Sequence, residues 1–216
     1  METNTSIGYM ILCKNEDSSL ELLLKQITEF KAPQDKIYVV RDKNGANKKT
    51  KYILESYKDD IIAFERPVDR AIHDQKNWLA TQADTDYLFY LDADELLDER
   101  FYMIVHQLIE GNDVDVFFLP RTNIVLGITE EYRASRGWHL DEKNRVNWPD
   151  VQDRLFKNNK GIHFNPIPHG RLIGQETFAM LPEEELYAIY HEKSMEKQKS
   201  DNEWHDNKER ELGLRP

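Results

Sequence analysis

The stretch YLFYLDADELLDE, from Tyr87 to Glu99, decides the fold. Its first half, Tyr87 to Leu91, has the aromatic and aliphatic density of a buried strand. The strand ends abruptly in the polar sequence Asp92, Ala93, Asp94 and Glu95. In an open α/β sheet, ligands collect beyond the carboxyl ends of the strands. The sequence therefore predicts a buried strand whose acidic end lies at a binding site.

Asp92 and Asp94 are two residues apart, so a turn leaving the strand can direct both carboxylates at one hard cation. Oxygen ligands suit Mg2+ or Mn2+, which would then meet the phosphate oxygens of a nucleotide. Two other Asp-x-Asp pairs, Asp84/Asp86 and Asp113/Asp115, precede apolar runs and are expected at strand entrances. The alternative is that Asp94 or Asp98 only caps the next helix, a common role for Asp.

Length and composition are those of a soluble, globular chain. The 216 residues fit one domain with a single core, and charged and hydrophobic residues make up 32% and 39% of them. The net charge of -11 opposes unspecific binding to nucleic acid or anionic lipid. The lone Cys13 excludes an intrachain disulfide and, without a leader or a membrane-spanning run, indicates the cytoplasm.

Strands and helices alternate through the first half of the chain. Apolar runs predict strands at 7–13, 36–41, 61–64, 87–91 and 114–119, and helical spacing of apolar residues predicts helices at about 20–30, 48–57, 69–82 and 101–108. This alternation predicts a mainly parallel sheet, the scaffold of many nucleotide-binding proteins.

The second half is less regular. From Arg121 onward we expect a loop-built region over the sheet, with short strands at 154–156 and 162–164 around a turn. The charged tail after His191 predicts a surface helix. We therefore divide the chain into an α/β half at 1–120, a loop-rich region of the same domain at 121–191 and a charged tail at 192–216.

Two distant blocks of sequence stand out. The first is Lys76-Asn77, then Ala80, then YLFYLDADE, and the second is Trp148-Pro149-Asp150 through Arg154-Leu155-Phe156-Lys157-Asn158, followed by Ile162, Phe164 and His169. Both blocks resemble the inverting family 2 glycosyltransferases of the A-type fold, especially small bacterial and viral members related to lipopolysaccharide core transferases. The resemblance makes 1–120 the nucleotide-sugar-binding half and 121–191 the acceptor-side region. Lys14-Asn15-Glu16 after the first strand is similar to the family's K/R-N-E. The chain departs from the family at Lys43-Asn44-Gly45-Ala46, in place of a Gly/Ser/Asp run, and at Gly170, where Glu is common.

The resemblance implies an A-type, Rossmann-like, mainly parallel sheet with helices on both faces and a loop-rich acceptor region. It implies transfer of a sugar, with inversion, from a UDP-linked donor to an acceptor hydroxyl. Asn15, Glu16 and Asp42 are then candidates for nucleotide contact, although Asn and Asp also form ordinary turns. Lys76 and Asn77 are candidates for phosphate or sugar contact, with an exposed helix face as the alternative.

Inversion needs a carboxylate that removes the proton of the acceptor hydroxyl. Asp150 is the first candidate and Asp153 the second, although Asp after Pro149 also suits a turn. Arg154 is expected to bind a phosphate or hold that carboxylate. Trp138 and Trp148 are candidates for stacking on a sugar ring, with core packing as the alternative.

His191 is the candidate third metal ligand, because it ends the apolar run Leu186 to Tyr190 as Asp92 ends its strand. The resemblance implies a histidine at this place, and an imidazole favours Mn2+ over Mg2+. His169 is the alternative ligand.

Two other functions remain open. A sugar-nucleotide pyrophosphorylase shares the scaffold but needs a Gly-rich phosphate loop where this chain has Lys14-Asn15-Glu16. A non-catalytic glycan-binding protein would not need Asp92, Asp94, Asp150 and His191 together. The acceptor is a glycan or another hydroxyl, and a modified DNA base is disfavoured by the net charge but not excluded.

Overall fold

The computed structural model describes residues 4–45, 47–67, 72–158, 161–166, 170–211 and 213. The strands are β1 (Ile7–Cys13), β2 (Lys36–Asp42), β3 (Ile62–Arg66), β4 (Tyr87–Asp92), β5 (Glu95–Leu97), β6 (Val116–Leu126), β7 (Asp150–Lys157), β8 (His163–Phe164), β9 (Leu172–Ile173), β10 (Phe178–Met180) and β11 (Ile189–Ser194). The α-helices are α1 (Asp17–Phe30), α2 (Lys48–Ser56), α3 (Ile72–Gln82), α4 (Glu99–Asn112), α5 (Glu130–Ser135) and α6 (Met195–Glu211).

A single large sheet contains all the strands but β8 and β9, in the order β3-β2-β1-β4-β7-β6-β11-β5, with β10 beside β6. The first four strands in this order are parallel, and β7 is antiparallel to both of its neighbours. β6 and β11 are again parallel, and β5 closes the row antiparallel to β11. The predicted mainly parallel α/β sheet is confirmed.

Side chains of β1 alternate between two apolar layers, as the period of a strand requires. Ile7, Tyr9 and Ile11 pack with α1, α2 and α4 on one face of the sheet. Met10 packs on the other face, where the apolar layer includes Leu79 of α3. Helices therefore cover both faces, and the carboxyl ends of β1, β2 and β4 meet at one edge.

Three expectations for the second half need correction. β6 does not end at Leu119 but continues through Arg121 to Leu126, because its polar residues alternate with buried ones such as Thr122 and Val125. Strands are present at both expected places, but the first is longer than 154–156, since β7 begins at Asp150, and it pairs with β4 and β6 whereas β8 pairs with β9.

His191 does not end an apolar strand but lies inside β11, opposite Asn123 of β6 and Glu95 of β5. The tail helix is present as α6, and it is anchored through Asp206 to Arg136 and through Asn202 to Tyr132. Within the residues that the structure describes, no helix is both long and apolar enough to cross a lipid bilayer.

Candidate functional site

Asp92 is the last residue of β4, and the two-residue turn that follows carries Asp94 before β5 begins at Glu95. The backbone N–H of Asp92 donates to the Glu95 carboxylate at 2.8 Å, which closes the turn. Asp98, and not Asp94, caps α4 by accepting from the N–H of Arg100. The helix-cap alternative therefore applies to Asp98 and leaves Asp94 available for another role.

Glu95, which the sequence analysis did not select, is the buried centre of the site. It is fully buried, and its Oε1 accepts from Arg154 at 2.8 Å and from Arg121 at 3.1 Å. Removing one partner of such a buried ion pair costs about 3–5 kcal/mol. Glu95 thus fixes two arginines, one from β7 and one from β6, behind the acidic turn.

Asp92 is held by protein donors on both of its oxygens. Tyr90 donates its hydroxyl to Oδ1, and Arg154 donates to Oδ2 at 3.0 Å. Burial raises the pKa of Asp92, but the positive charges of Arg154 and Lys76 outweigh it and hold this pKa well below its usual range. Asp92 is therefore ionised, and its carboxylate is oriented by Arg154.

Asp94 faces His191 and Lys193 of β11. Its Oδ1 lies 3.6 Å from His191 Nε2 and its Oδ2 lies 3.7 Å from Lys193 Nζ, both longer than a hydrogen bond. Burial raises the pKa of Asp94, but His191 and Lys193 outweigh it and lower that pKa. Lys193 has a closer partner in Asp201 of α6, at 2.7 Å. Asp94 and His191 thus form an acid–imidazole pair with a gap between them.

The donor chemistry of this pair fits a divalent cation, since a carboxylate oxygen and an imidazole nitrogen are both ligands of Mn2+. Within the part of the chain that the structure describes, no group of three His, Cys, Asp or Glu side chains gathers around one point. Asp94 and His191 would hold such an ion together, and phosphate or water oxygens would supply its remaining ligands. His169 lies outside the described residues.

Asp150 begins β7 and lies opposite Arg121 of β6. Its Oδ2 accepts from Arg121 at 2.6 and 2.9 Å and from Asn123 at 2.8 Å, and its Oδ1 accepts from Gln152 at 2.7 Å. Burial raises the pKa of Asp150, but Arg121 and the amide donors outweigh it and lower that pKa. Arg121 also bonds Glu95, so one guanidinium joins Asp150 to the buried centre of the site.

The structure brings Asp150, but not Asp153, into this network. Asp153 is buried, and its Oδ2 accepts the backbone N–H of Leu172 in β9. Such a bond ties the β8–β9 hairpin to β7. Arg154 holds Asp92 and Glu95 and makes no bond with Asp150, which Arg121 holds instead.

Lys76 of α3 is buried close enough to Asp92 for the two charges to interact. Its ammonium is 3.9 Å from the ring centre of Tyr90 and 4.7 Å from that of Phe164. Burial lowers the pKa of Lys76 to about 8, against the opposing charge of Asp92. The adjacent Asn77 is used otherwise, because its amide pairs with the backbone N–H and C=O of Phe164, both at 2.8 Å.

The ends of β1 and β2 carry the remaining candidates. Asp42 is buried, accepts the N–H of Asn44 and pairs with Lys14 at 3.0 Å. Asn15 is exposed and accepts the N–H of Asn47, whereas Glu16 folds back on the N–H groups of its own loop. Asp42 and Asn15 therefore border the same sheet edge as Asp92.

The two tryptophans are partly covered by neighbours. Trp138 makes an edge contact with Tyr132, and Arg145 lies 3.9 Å above the ring of Trp148. The peptide bond between Trp148 and Pro149 is cis. Neither ring belongs to the Asp92–Asp150 network.

Sequence reasoning missed Glu95, Arg121, Asn123 and Lys193. Glu95 lies in the stretch from Tyr87 to Glu99, and its position directly before Leu96 and Leu97 was a signal of burial. Arg121 and Asn123 are two residues apart in β6, and Lys193 is two residues from His191 in β11, so the period of a strand places each pair on one face. Their neighbours Thr122 and Glu192 are polar as well, so no apolar alternation marked these residues.

Comparison with known proteins gives three results. The family model described as glycosyl transferase family 2 matches residues 10–178. The crystal structure of S. aureus TarS has a TM-score of 0.62 and 13% identity, over 87% of this chain and 37% of that one. The structure of S. aureus TarS 1-349 in complex with UDP-GlcNAc has a TM-score of 0.62 and 12% identity, over 87% and 58%.

A third structure, TarS 1-349 in complex with UDP, has a TM-score of 0.62 and 12% identity, over 87% of this chain and 60% of that one. The chain thus spans less than two thirds of these neighbours, and at such identity they show the fold alone. A search of curated proteins finds no match. Because the family model covers most of the chain, the protein belongs to glycosyl transferase family 2, and its fold is the A-type fold of these neighbours.

Proposed function

We propose that this protein transfers a sugar from a UDP-linked donor to an acceptor hydroxyl, with a divalent cation held by Asp94 and His191. The observation that carries the proposal is the acid–imidazole pair, with Asp94 Oδ1 3.6 Å from His191 Nε2, beside the carboxyl end of β4. The choice of UDP as the nucleotide is supported by the family and by the TarS complexes with UDP and UDP-GlcNAc.

The donor side lies at the ends of β1, β2 and β4. Asp42, buried and already oriented by Lys14, is suited to accept from a ribose hydroxyl or from the base, and Asn15 borders it. Lys76 supplies positive charge near Asp92 and Arg154, where the phosphates of a donor would lie. Asn77 stabilises the α3–β8 contact and acts as support rather than as a ligand.

An acidic protein that binds a nucleoside diphosphate must offset like-charge repulsion locally. Asp94 and His191 would hold Mn2+, or Mg2+ more weakly, because imidazole suits Mn2+ better. When bound, the cation neutralises the charge that develops on the leaving diphosphate. Asp92 contributes its ionised carboxylate to the same edge while Arg154 fixes its direction.

Asp150 is the proposed base. An inverting transfer needs a carboxylate on the face of the sugar opposite the leaving nucleotide. Oδ2 of Asp150 is saturated by Arg121 and Asn123, whereas Oδ1 has, among the described residues, only Gln152 as a partner and can still accept a proton. Asp153 has a structural bond to Leu172 and is less suited to this role.

The pyrophosphorylase alternative has weaker support. The loop after β1, Lys14-Asn15-Glu16, contains no glycine and uses its acid to accept its own N–H groups, so it cannot cradle a triphosphate as a Gly-rich loop does. We further propose the division into a donor half at 1–120, an acceptor side at 121–191 and a tail at 192–216, although β6 runs continuously across residue 120.

The test is a hydrolysis screen of UDP-, GDP- and CMP-sugars with Mn2+, read by release of the free nucleotide. We expect release of UDP from a UDP-sugar, and loss of that release with EDTA. Release that is unaffected by EDTA would overturn the role of the metal. Release of GDP or CMP alone would overturn the choice of nucleotide, and turnover of no nucleotide sugar, alone or with glycan acceptors, would overturn the proposed donor class.

A further inference from the structure

Asn123 of β6 stands between the proposed base and the proposed metal ligand. Its Nδ2 lies 2.8 Å from Oδ2 of Asp150, and its Oδ1 lies 2.9 Å from Nδ1 of His191. The sheet itself sets these distances, because Asn123 pairs with His191 in the β6–β11 register and is two residues from Arg121, which pairs with Asp150. A single side chain therefore joins two groups that belong to different parts of the reaction.

The chemistry of these groups fixes the direction of both hydrogen bonds. An ionised carboxylate can only accept, so the amide of Asn123 must turn its NH2 group toward Asp150. The two donors of Arg121 and the low pKa of Asp150 keep that carboxylate ionised. The carbonyl oxygen of Asn123 then faces His191, and an oxygen acceptor requires a proton on Nδ1.

The opposite nitrogen of the same ring faces Asp94. In neutral His191 a protonated Nδ1 leaves a lone pair on Nε2, and Nε2 is the atom 3.6 Å from Asp94 Oδ1. Metal-bound histidines usually donate their other ring N–H to a fixed acceptor, which sets both the tautomer and the ring orientation. Asn123 occupies the place of that acceptor.

We infer that Asn123 is a positioning residue that uses the carboxylate of Asp150 to hold His191 protonated on Nδ1, with the Nε2 lone pair directed to the cation site beside Asp94. The inference rests on the proposed function for the role of His191 as a ligand. It adds that the base and the metal ligand share one hydrogen-bonded chain.

Thr122 offers a matched control on the same strand. It is buried on the opposite face of β6 from Asn123, and its hydroxyl has no hydrogen-bond partner among the described residues. Thr122→Val therefore changes the same strand without altering the hydrogen bonds that link Asp150 to His191 through Asn123. Asn123→Leu removes both amide functions at similar volume, whereas Asn123→Asp keeps the oxygen that accepts from His191.

The first measurement is the 15N NMR spectrum of His191 in the metal-free protein, at a pH where its imidazole is neutral, with the signal assigned by loss in His191→Gln. We expect Nδ1 to carry the proton in the wild type, in Thr122→Val and in Asn123→Asp. We expect a mixture of tautomers in Asn123→Leu. A proton on Nε2 in the wild type, or the same tautomer in Asn123→Leu as in the wild type, would overturn the inference.

The second measurement is Mn2+ affinity in the presence of UDP. Loss of a partner in the second coordination shell typically weakens metal binding about 10–100-fold. We expect that loss in Asn123→Leu and wild-type affinity in Thr122→Val. Equal affinity in Asn123→Leu and Thr122→Val would overturn the inference while the proposed function stands. Absence of Mn2+ binding in the wild type would instead overturn the proposed function, and the NMR measurement still decides the tautomer.

Discussion

Two Asp-x-Asp pairs flank the same strand, and the difference between them lies at Asp94, because Asp92 is held by Tyr90 and Arg154. Asp84 and Asp86 precede β4, and both are occupied by partners: Asp84 accepts from Lys36 and Tyr38, and Asp86 accepts from the N–H and hydroxyl of Ser6. Among the described residues, the closest charged neighbours of Asp94, in the turn after β4, are His191 at 3.6 Å and Lys193 at 3.7 Å. Acids of equal spacing therefore hold the strand entrance at one end of β4, whereas at the other end Asp94 is left for the proposed cation site.

The third pair, Asp113/Asp115, agrees with this contrast. Asp115 precedes β6 and accepts the backbone N–H groups of Glu176 and Thr177, and Asp113 ends α4 in a left-handed conformation. Position relative to strand direction, rather than spacing, separates the acids that hold the fold from Asp94, for which we propose a ligand.

The largest effect is expected from Asp94→Ala. Loss of a metal ligand removes charge stabilisation worth several kcal/mol, so kcat should fall about a thousandfold while the thermal midpoint stays near that of the wild type. Asp86→Ala is the matched control at the other end of β4, and it should lose about 1 kcal/mol of stability with kcat retained. Similar kcat values for the two variants, measured at saturating Mn2+, would contradict the proposed difference between the acids at the two ends of β4.

A smaller effect is expected from Asp150→Asn. General base catalysis contributes about 10^2–10^4-fold, and the low pKa of Asp150 places it toward the lower end, so transfer should fall about a hundredfold. The affinity for UDP should not change, because the asparagine of this variant would keep an oxygen that accepts from Arg121, and because the substituted residue is proposed to act on the acceptor and not on the nucleotide. If Asp153→Asn loses transfer and Asp150→Asn does not, Asp153 is the base.

The smallest effect concerns pH and Lys76. Its pKa of about 8 means that the ammonium is charged below pH 8 and neutral above it. Its attraction for phosphates is therefore lost as pH rises, and the apparent Kd for UDP should increase by up to about tenfold per pH unit above pH 8. Lys76→Arg stays charged and should remove this slope. Equal slopes in the two proteins, measured from pH 7 to 9.5, would exclude Lys76 from donor binding.

Much of the donor half was predictable because its strands are continuous apolar runs. β1, β2 and β4 are buried on both faces, so Ile7–Cys13, Lys36–Arg41 and Tyr87–Leu91 stand out from their polar flanks. The acids at the end of β4 follow from the same pattern. Local sequence therefore identified the strands and the sheet edge at which we propose the site.

The other half of the site was not predictable by the same reasoning. β6 contains Pro120, Arg121 and Asn123, so it is not a continuous apolar run. Its second part was therefore not predicted as a strand, because buried and partly exposed residues are mixed along it. The partners of Asp150 at Oδ2 come from β6. The neighbours of Asp94 come from β11, about a hundred residues later in the chain than Asp94 itself. Such pairings depend on sheet register, which apolar patterns in a single segment do not specify.

The most direct test of the cation site is calorimetric titration of UDP into the protein with and without Mn2+. We expect heat that requires Mn2+ in the wild type and in Asp86→Ala, and loss of that Mn2+-dependent heat in Asp94→Ala. An Asp94→Ala protein that binds UDP with the same Mn2+ dependence as the wild type would contradict the assignment of the metal to the carboxyl end of β4.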